Sequence, residues 1–161
     1  MKIMMLLISV MFVFSACKTS GNELQEEMPD DFAFSLKYGV TAANEINSYK
    51  DSFTKDLVMD GTETTALVLS EEELETFYHV FRESDVLNLP DEAGGQPCQS
   101  PYNHYELEMT ADREEVDLTW DTECLTGKLS SWESTFHEVL IDLIHSREEY
   151  QNLPDAEGGY D

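Results

Sequence analysis

Alternation at a period of two is the feature that most limits what this chain can fold into. Phe32, Phe34, Leu36 and Tyr38 share one parity, with Ala33, Ser35 and Lys37 on the other. That is the pattern of a strand with one buried and one wetted face. It recurs in Tyr105, Leu107 and Met109, and again in Val116, Leu118 and Trp120. Between those runs stands Ala111-Asp112-Arg113-Glu114, so the segment from Tyr102 to Trp120 reads as a hairpin. A two-residue turn at Asp112-Arg113 pairs Tyr105 with Trp120 and Leu107 with Leu118. Ile46 to Met59 reads as a further extended region, bent near Lys50-Asp51, with Tyr49, Phe53, Leu57 and Met59 on one parity. Asp60-Gly61 then signals a hairpin into Thr62 to Leu69.

Two stretches change to helical spacing. Ser70 with Glu73 forms a capping box, and Leu74, Phe77, Tyr78 and Phe81 follow at i, i+3, i+4 and i+7. Ser130 with Glu133 repeats the box ahead of Trp132, Phe136, Val139, Leu140, Leu143 and Ile144. Each helix is followed by an Asn-Leu-Pro-Asp segment and a Gly pair, at Asn88 to Gly95 and Asn152 to Gly159, which are ordinary helix stops. The expected fold class is therefore α+β: an antiparallel β-sheet, a meander plus a second hairpin, with two amphipathic helices packed on one face.

The N-terminus concerns address rather than fold. Lys2 precedes an apolar run from Ile3 to Phe14 broken only by Ser9, and Ser15-Ala16 stand before Cys17. Twelve residues fall short of the ~20 that a helix needs to cross a bilayer, but they fit the apolar region of a secretory signal. Phe14-Ser15-Ala16-Cys17 resembles the lipobox of bacterial lipoprotein precursors, with Phe14 where that family usually has Leu. The resemblance implies a diacylglyceryl group on the Cys17 thiol and cleavage that makes Cys17 the first residue. The other reading is an ordinary signal peptide with Cys17 as a later disulfide partner. The expected organisation is a signal peptide over 1–16, a lipidated cysteine and flexible tether over 17–28, one domain over 29–152, and a mobile tail over 153–161. Lys18 is not the Asp associated with inner-membrane retention, so the outer face of a cell membrane and an outer membrane both remain open.

The chain carries 34 acidic against 9 basic residues, a net charge of −25; loss of Lys2 with the signal makes it −26. Such a surface repels phosphate backbones and anionic headgroups, which argues against nucleic-acid binding and leaves anchoring to the lipid on Cys17. Acidity spread along the whole chain suits solubility in a salty or alkaline exterior; attraction of cations or of a basic protein is the functional alternative. Cys98 and Cys124 flank the open end of the predicted hairpin, and a bridge between them contributes ~3–4 kcal/mol on a chain-entropy argument. A zinc site with His104 as a third ligand is the rival, without supporting spacing.

Catalytic signatures are missing from the sequence: it contains no G-x-S-x-G, H-E-x-x-H or phosphate-cradling glycine loop. No catalytic residue, metal or cofactor is implied. The expected function is a non-catalytic, lipid-anchored binding or accessory domain of the cell envelope, with an unidentified protein partner. The order of elements also resembles small secreted protease inhibitors of the emfourin type, through Tyr105-x-Leu107-x-Met109, Val116-x-Leu118-x-Trp120-Asp121 and the Trp132 helix. It is similar as well to small bacterial lipoproteins with no assigned activity. On the inhibitor reading, the loop bearing Asp91, Glu92, Gly94, Gly95 and Pro97, with Tyr102 beside it, enters a protease cleft. An undetected enzyme is the third reading.

Overall fold

The computed structural model describes residues 23–90, 100–125 and 127–160. Six strands form one antiparallel sheet: β1 Ala33–Tyr38, β2 Asn44–Asn47, β3 Ser52–Asp56, β4 Thr62–Ala66, β5 His104–Ala111 and β6 Glu114–Asp121. Their order is β4-β3-β2-β1-β5-β6. The first four strands thus run as a meander, and the second hairpin adds to the free side of β1.

Register explains why one face is dry. Directly opposed residues share a face, and the pairs Leu36↔Ile46, Leu36↔Leu107, Phe34↔Met109, Ile46↔Phe53 and Tyr105↔Trp120 bring the apolar parity of five strands together. The turn at Asp112-Arg113 falls where the sequence places it. Both residues have φ above +50°, at 52° and 65°, the left-handed pair that a two-residue hairpin turn requires. Asp31 fixes that turn by accepting from the Asp112 and Arg113 amides at 2.8 and 2.7 Å.

The helices cover only the dry face. Helix α1, Glu71–Glu83, starts at the predicted box: Ser70 Oγ accepts from the Glu73 amide and Glu73 Oε2 from the Ser70 amide. Its stripe sets Phe77 and Phe81 against Phe34, with ring centroids 4.8 and 5.2 Å apart. The second helical stretch runs as α2 Gly127–Thr135, a π-helical segment Phe136–Ile141, and α3 Asp142–Ser146. Trp132, Phe136, Leu140 and Ile144 are all fully buried, a strict spacing of four. In a pure α-helix of about 3.6 residues per turn, each such step drifts about 40° around the axis. The wider π winding takes up that drift and keeps the stripe facing the sheet. A short helix α4, Glu148–Gln151, follows.

Several sequence expectations need correction. The second capping box does not form: α2 already begins at Gly127, so Ser130 lies inside the helix. Glu133 turns into the protein instead. The 46–59 region is two strands with a tight turn between them, not one bent strand. Tyr49 and Met59, expected on the core parity, are 47% and 75% exposed, because both sit in turns where parity no longer applies. Val139 is likewise exposed, rotated out by the π winding.

The segments expected to be loose are docked. Leu24 and Met28 pack on the core, and the Gln25 carbonyl accepts from Tyr78 Oη at 2.9 Å, so the chain is held from about residue 24 rather than 29. At the other end, Glu157 bridges to Val58 through backbone bonds with Met59 and Leu57. Tyr160 Oη donates to Asp56 at 2.6 Å and Pro154 O accepts from Lys55 Nζ at 2.7 Å. Backbone bridging leaves no side-chain periodicity, so the tail carried no such signal.

Trp132→Ala is expected to cost about 3–5 kcal/mol, and Val139→Ser less than about 0.5 kcal/mol. Denaturant midpoints of the two variants measure this; equal losses would contradict the assignment of the buried stripe.

Candidate functional site

The face of the sheet opposite the helices presents the polar parity of every strand. Ser35, Lys37, Glu45, Asn47, Thr54, Glu106, Glu108, Asp117 and Thr119 lie on it as cross-strand neighbours. Glu108 faces Asp117 directly, Lys37 lies between Glu45 and Glu106, and Thr110 faces Glu115. Lys37 Nζ donates to Glu106 Oε2 at 2.7 Å, which holds its ammonium above the usual lysine range.

The middle of this face is built rather than merely wet. Glu45 Oε1 accepts from Ser35 Oγ at 2.8 Å and from Asn47 Nδ2 at 2.7 Å. Burial alone would raise the Glu45 carboxyl, but the bonds from Asn47 and Ser35 outweigh it and the net shift is downward. Tyr49 reaches over β1 and hydrogen-bonds Thr110 Oγ1 at 2.8 Å. Ser35 and Asn47 are only 4% and 3% exposed, and both bond to Glu45.

One end of the face deepens into a cleft of about 350 Å³ lined by Val40, Ser100, Pro101, Tyr102, His104 and Asp121. His104 and Asp121 are opposed in the β5–β6 ladder, so their side chains meet: Nδ1 to Oδ1 is 2.5 Å. The second ring nitrogen lies 3.8 Å from Glu106 Oε1. The short His104–Asp121 contact ties β5 to β6 side chain to side chain at the open end of the hairpin. Among the described residues, no group of three His, Cys, Asp or Glu is placed to hold a metal ion.

A second polar cluster joins the helices to the sheet. Glu133 accepts from Tyr105 Oη at 2.6 Å and from Asn103 Nδ2 at 2.5 Å, and lies 3.4 Å from His137 Nε2. Burial would raise its carboxyl, but His137, Tyr105 and Asn103 together hold it below the ordinary value. Burial, then the neighbouring carboxylate, drives the Tyr105 phenol far upward, and the bond to Glu133 raises the His137 imidazole. Tyr105 stacks on Trp120 at 5.2 Å with rings 6° from parallel, and Trp132 meets both rings edge-on. Glu133 thus gathers Tyr105, Asn103 and His137 around one carboxylate, which ties α2 to β5.

Of the residues that the sequence singles out, Cys17, Asp91, Glu92, Gly94, Gly95, Pro97 and Cys98 lie outside the described residues. Tyr102 is half-buried in the His104 cleft. Cys124, just past β6, is disulfide-bonded; its expected partner Cys98 is outside the described set, so that pairing stays a proposal. Sequence reading missed Glu133, whose spacing from Ser130 imitated a cap, and the His104–Asp121 contact, which the hairpin register already implied. No protein-family model, curated protein or solved structure matches the chain.

The His137–Glu133 pair gives a signed pH dependence. A histidine raised by its partner stabilises the fold fully below its unfolded value of about 6.5, and that contribution is lost as pH rises through the folded value. His137 is half-exposed, so the effect stays below about 1 kcal/mol. His137→Gln is expected to flatten the fall in denaturant midpoint on going from below pH 6.5 to alkaline pH. An unchanged slope would contradict the pair. Glu133→Ala, which leaves the Tyr105 hydroxyl and Asn103 amide unpaired, should cost about 1–3 kcal/mol.

Proposed function

We propose that this chain is a non-catalytic binding domain, tethered through lipid on Cys17 to the outer surface of a bacterial membrane, that meets a protein partner with its open acidic sheet face. One observation carries the reading. The sheet buries one face under helices and leaves the other, with Glu45, Glu106, Glu108, Asp117 and Asp121, as a broad polar surface organised by its own hydrogen bonds. An exposed polar surface held rigid by a scaffold is suited to recognition, since little side-chain freedom is lost on contact.

The anchor is proposed from Ser15-Ala16-Cys17 and the apolar run before it. The docked segment adds a geometric consequence: from Cys17 to Leu24 the chain spans at most ~25 Å. A domain held that close to a bilayer has a restricted orientation, with the α1 side and the Asp112-Arg113 turn nearest the attachment. Its charge repels anionic headgroups, so two or more acyl chains supply the attachment. Among the described residues, no helix is long and apolar enough to cross a membrane. The bridge from Cys124 to Cys98 belongs to the same proposal, because disulfides persist outside the cytoplasm.

Intact-mass analysis of the protein from its native host is expected to find Cys17 as the first residue, carrying diacylglyceryl and acyl groups. A free Cys17 thiol, or Met1 still attached, would overturn the anchor. For the binding half, capture with the anchored protein at moderate salt should recover a partner that a Glu106→Lys, Glu108→Lys double variant fails to retain. Equal recovery by both would remove the acidic face from the function.

A further inference from the structure

The sheet has two edges, and they are guarded differently. The β4 edge is five residues long and bears three threonines. The β6 edge is eight residues long, without proline or bulge, and pairs with β5 in unbroken register.

The register decides which backbone groups β6 leaves unpaired among the described residues. The Thr122 amide donates to Asn103 O, so Asn103 and Thr122 form a hydrogen-bonded pair at the head of the ladder. Such pairs alternate along antiparallel strands. Trp120, Leu118, Val116 and Glu114 therefore turn their backbone groups toward β5. The two-residue turn at Asp112-Arg113 requires the same phase, since it closes on a hydrogen-bonded Ala111–Glu114 pair. Glu115, Asp117, Thr119 and Asp121 then direct their N–H and C=O groups outward. Their side chains belong to the open polar face, and three of the four are acidic.

We propose that the outer edge of β6 is a strand-addition site for an extended, lysine- or arginine-bearing segment of a partner protein. A free ladder supplies main-chain hydrogen bonds to any extended peptide, and the alternate side chains select among peptides. Here the selection is electrostatic. A segment with basic residues at alternate positions sets them beside Glu115, Asp117 and Asp121, where opposite charges across strands attract. Its intervening side chains lie beside half-buried Val116 and Leu118, so apolar residues suit those positions. Charge also opposes the other obvious occupant: antiparallel pairing of β6 with β6 of a second copy, fully overlapped over the outward residues, sets Glu115 opposite Asp121 at both ends of the edge. The site names a partner chemistry for the binding reading given above, and rests on that reading without depending on the lipid.

The test uses the full chain in zwitterionic detergent and a synthetic peptide alternating lysine with threonine or valine, matched to the 8 residues of β6. Its twin carries N-methyl groups on alternate amides, which keeps the charge and removes the donors. Titration is expected to show saturable binding of the first peptide and roughly tenfold or greater weakening for the twin. Amide exchange at Glu115, Asp117, Thr119 and Asp121 should slow when the first peptide is bound. Thr119→Pro removes one outward donor and leaves the β5 ladder intact, so it should weaken binding by a similar factor without unfolding. Asp117→Lys should reverse the preference toward an alternating glutamate peptide. Equal binding of both twins overturns strand addition while leaving a charge-driven face in place. Binding of neither overturns strand addition and cation recognition by this side together.

Discussion

The fold depends on one constraint: a six-stranded sheet in which every cross-strand register places the large apolar side chains on the same face. β1 is the strand where this is decided, because it pairs with β2 on one side and β5 on the other. Phe34 and Leu36 are fully buried there, and a slip of one residue on either side would send a whole strand's apolar set into water. Helix α1 and the α2–α3 stretch need only cover that single face. Their phenyl and indole rings form a continuous layer from Phe77 through Phe81 and Trp132 to Phe136.

Among the described residues, the helices cover one face alone, and the other carries polar chemistry. Its residues satisfy one another without burial under helices: Glu45 gathers Ser35 and Asn47, Lys37 holds Glu106, and His104 stands between Asp121 and Glu106. On the covered side, Tyr105 stacks its ring in the dry layer while its hydroxyl donates to Glu133. Glu133 thereby ties α2 to β5 at the rim of the aromatic layer, where a carboxylate can still keep three partners. The polar surface and the hydrophobic layer are two faces of the same five strands, so altering register for one would destroy the other.

Much of the fold was legible because its signals are local and periodic. The Phe32-to-Tyr38 alternation, the Asp112-Arg113 turn and the Ser70–Glu73 box each state a backbone geometry within a few residues. What escaped reading arises where a distant partner decides the role of a residue. Ser130 and Glu133 have cap spacing, yet Glu133 is claimed by Tyr105 and Asn103 from β5 and its approach. Val139 fits an α-helical stripe, yet the π winding that follows the four-residue spacing turns it outward. Residues 24–28 and 153–160 lack periodicity, yet single anchors such as Tyr78 to Gln25 and Tyr160 to Asp56 hold them down. The candidate site was legible only in part: the hairpin register implies that His104 meets Asp121, whereas the open acidic face emerges only once the strand order β4-β3-β2-β1-β5-β6 is known.

Residue-resolved amide exchange along β6 in the unliganded protein tests the one-sided, open-edged sheet most directly. The account predicts alternation: slow exchange at Val116, Leu118 and Trp120, and fast exchange at Glu115, Asp117, Thr119 and Asp121. Uniform protection along β6 would mean that another strand already occupies its outer edge, and the inverse alternation would mean that the hairpin is paired in a different register.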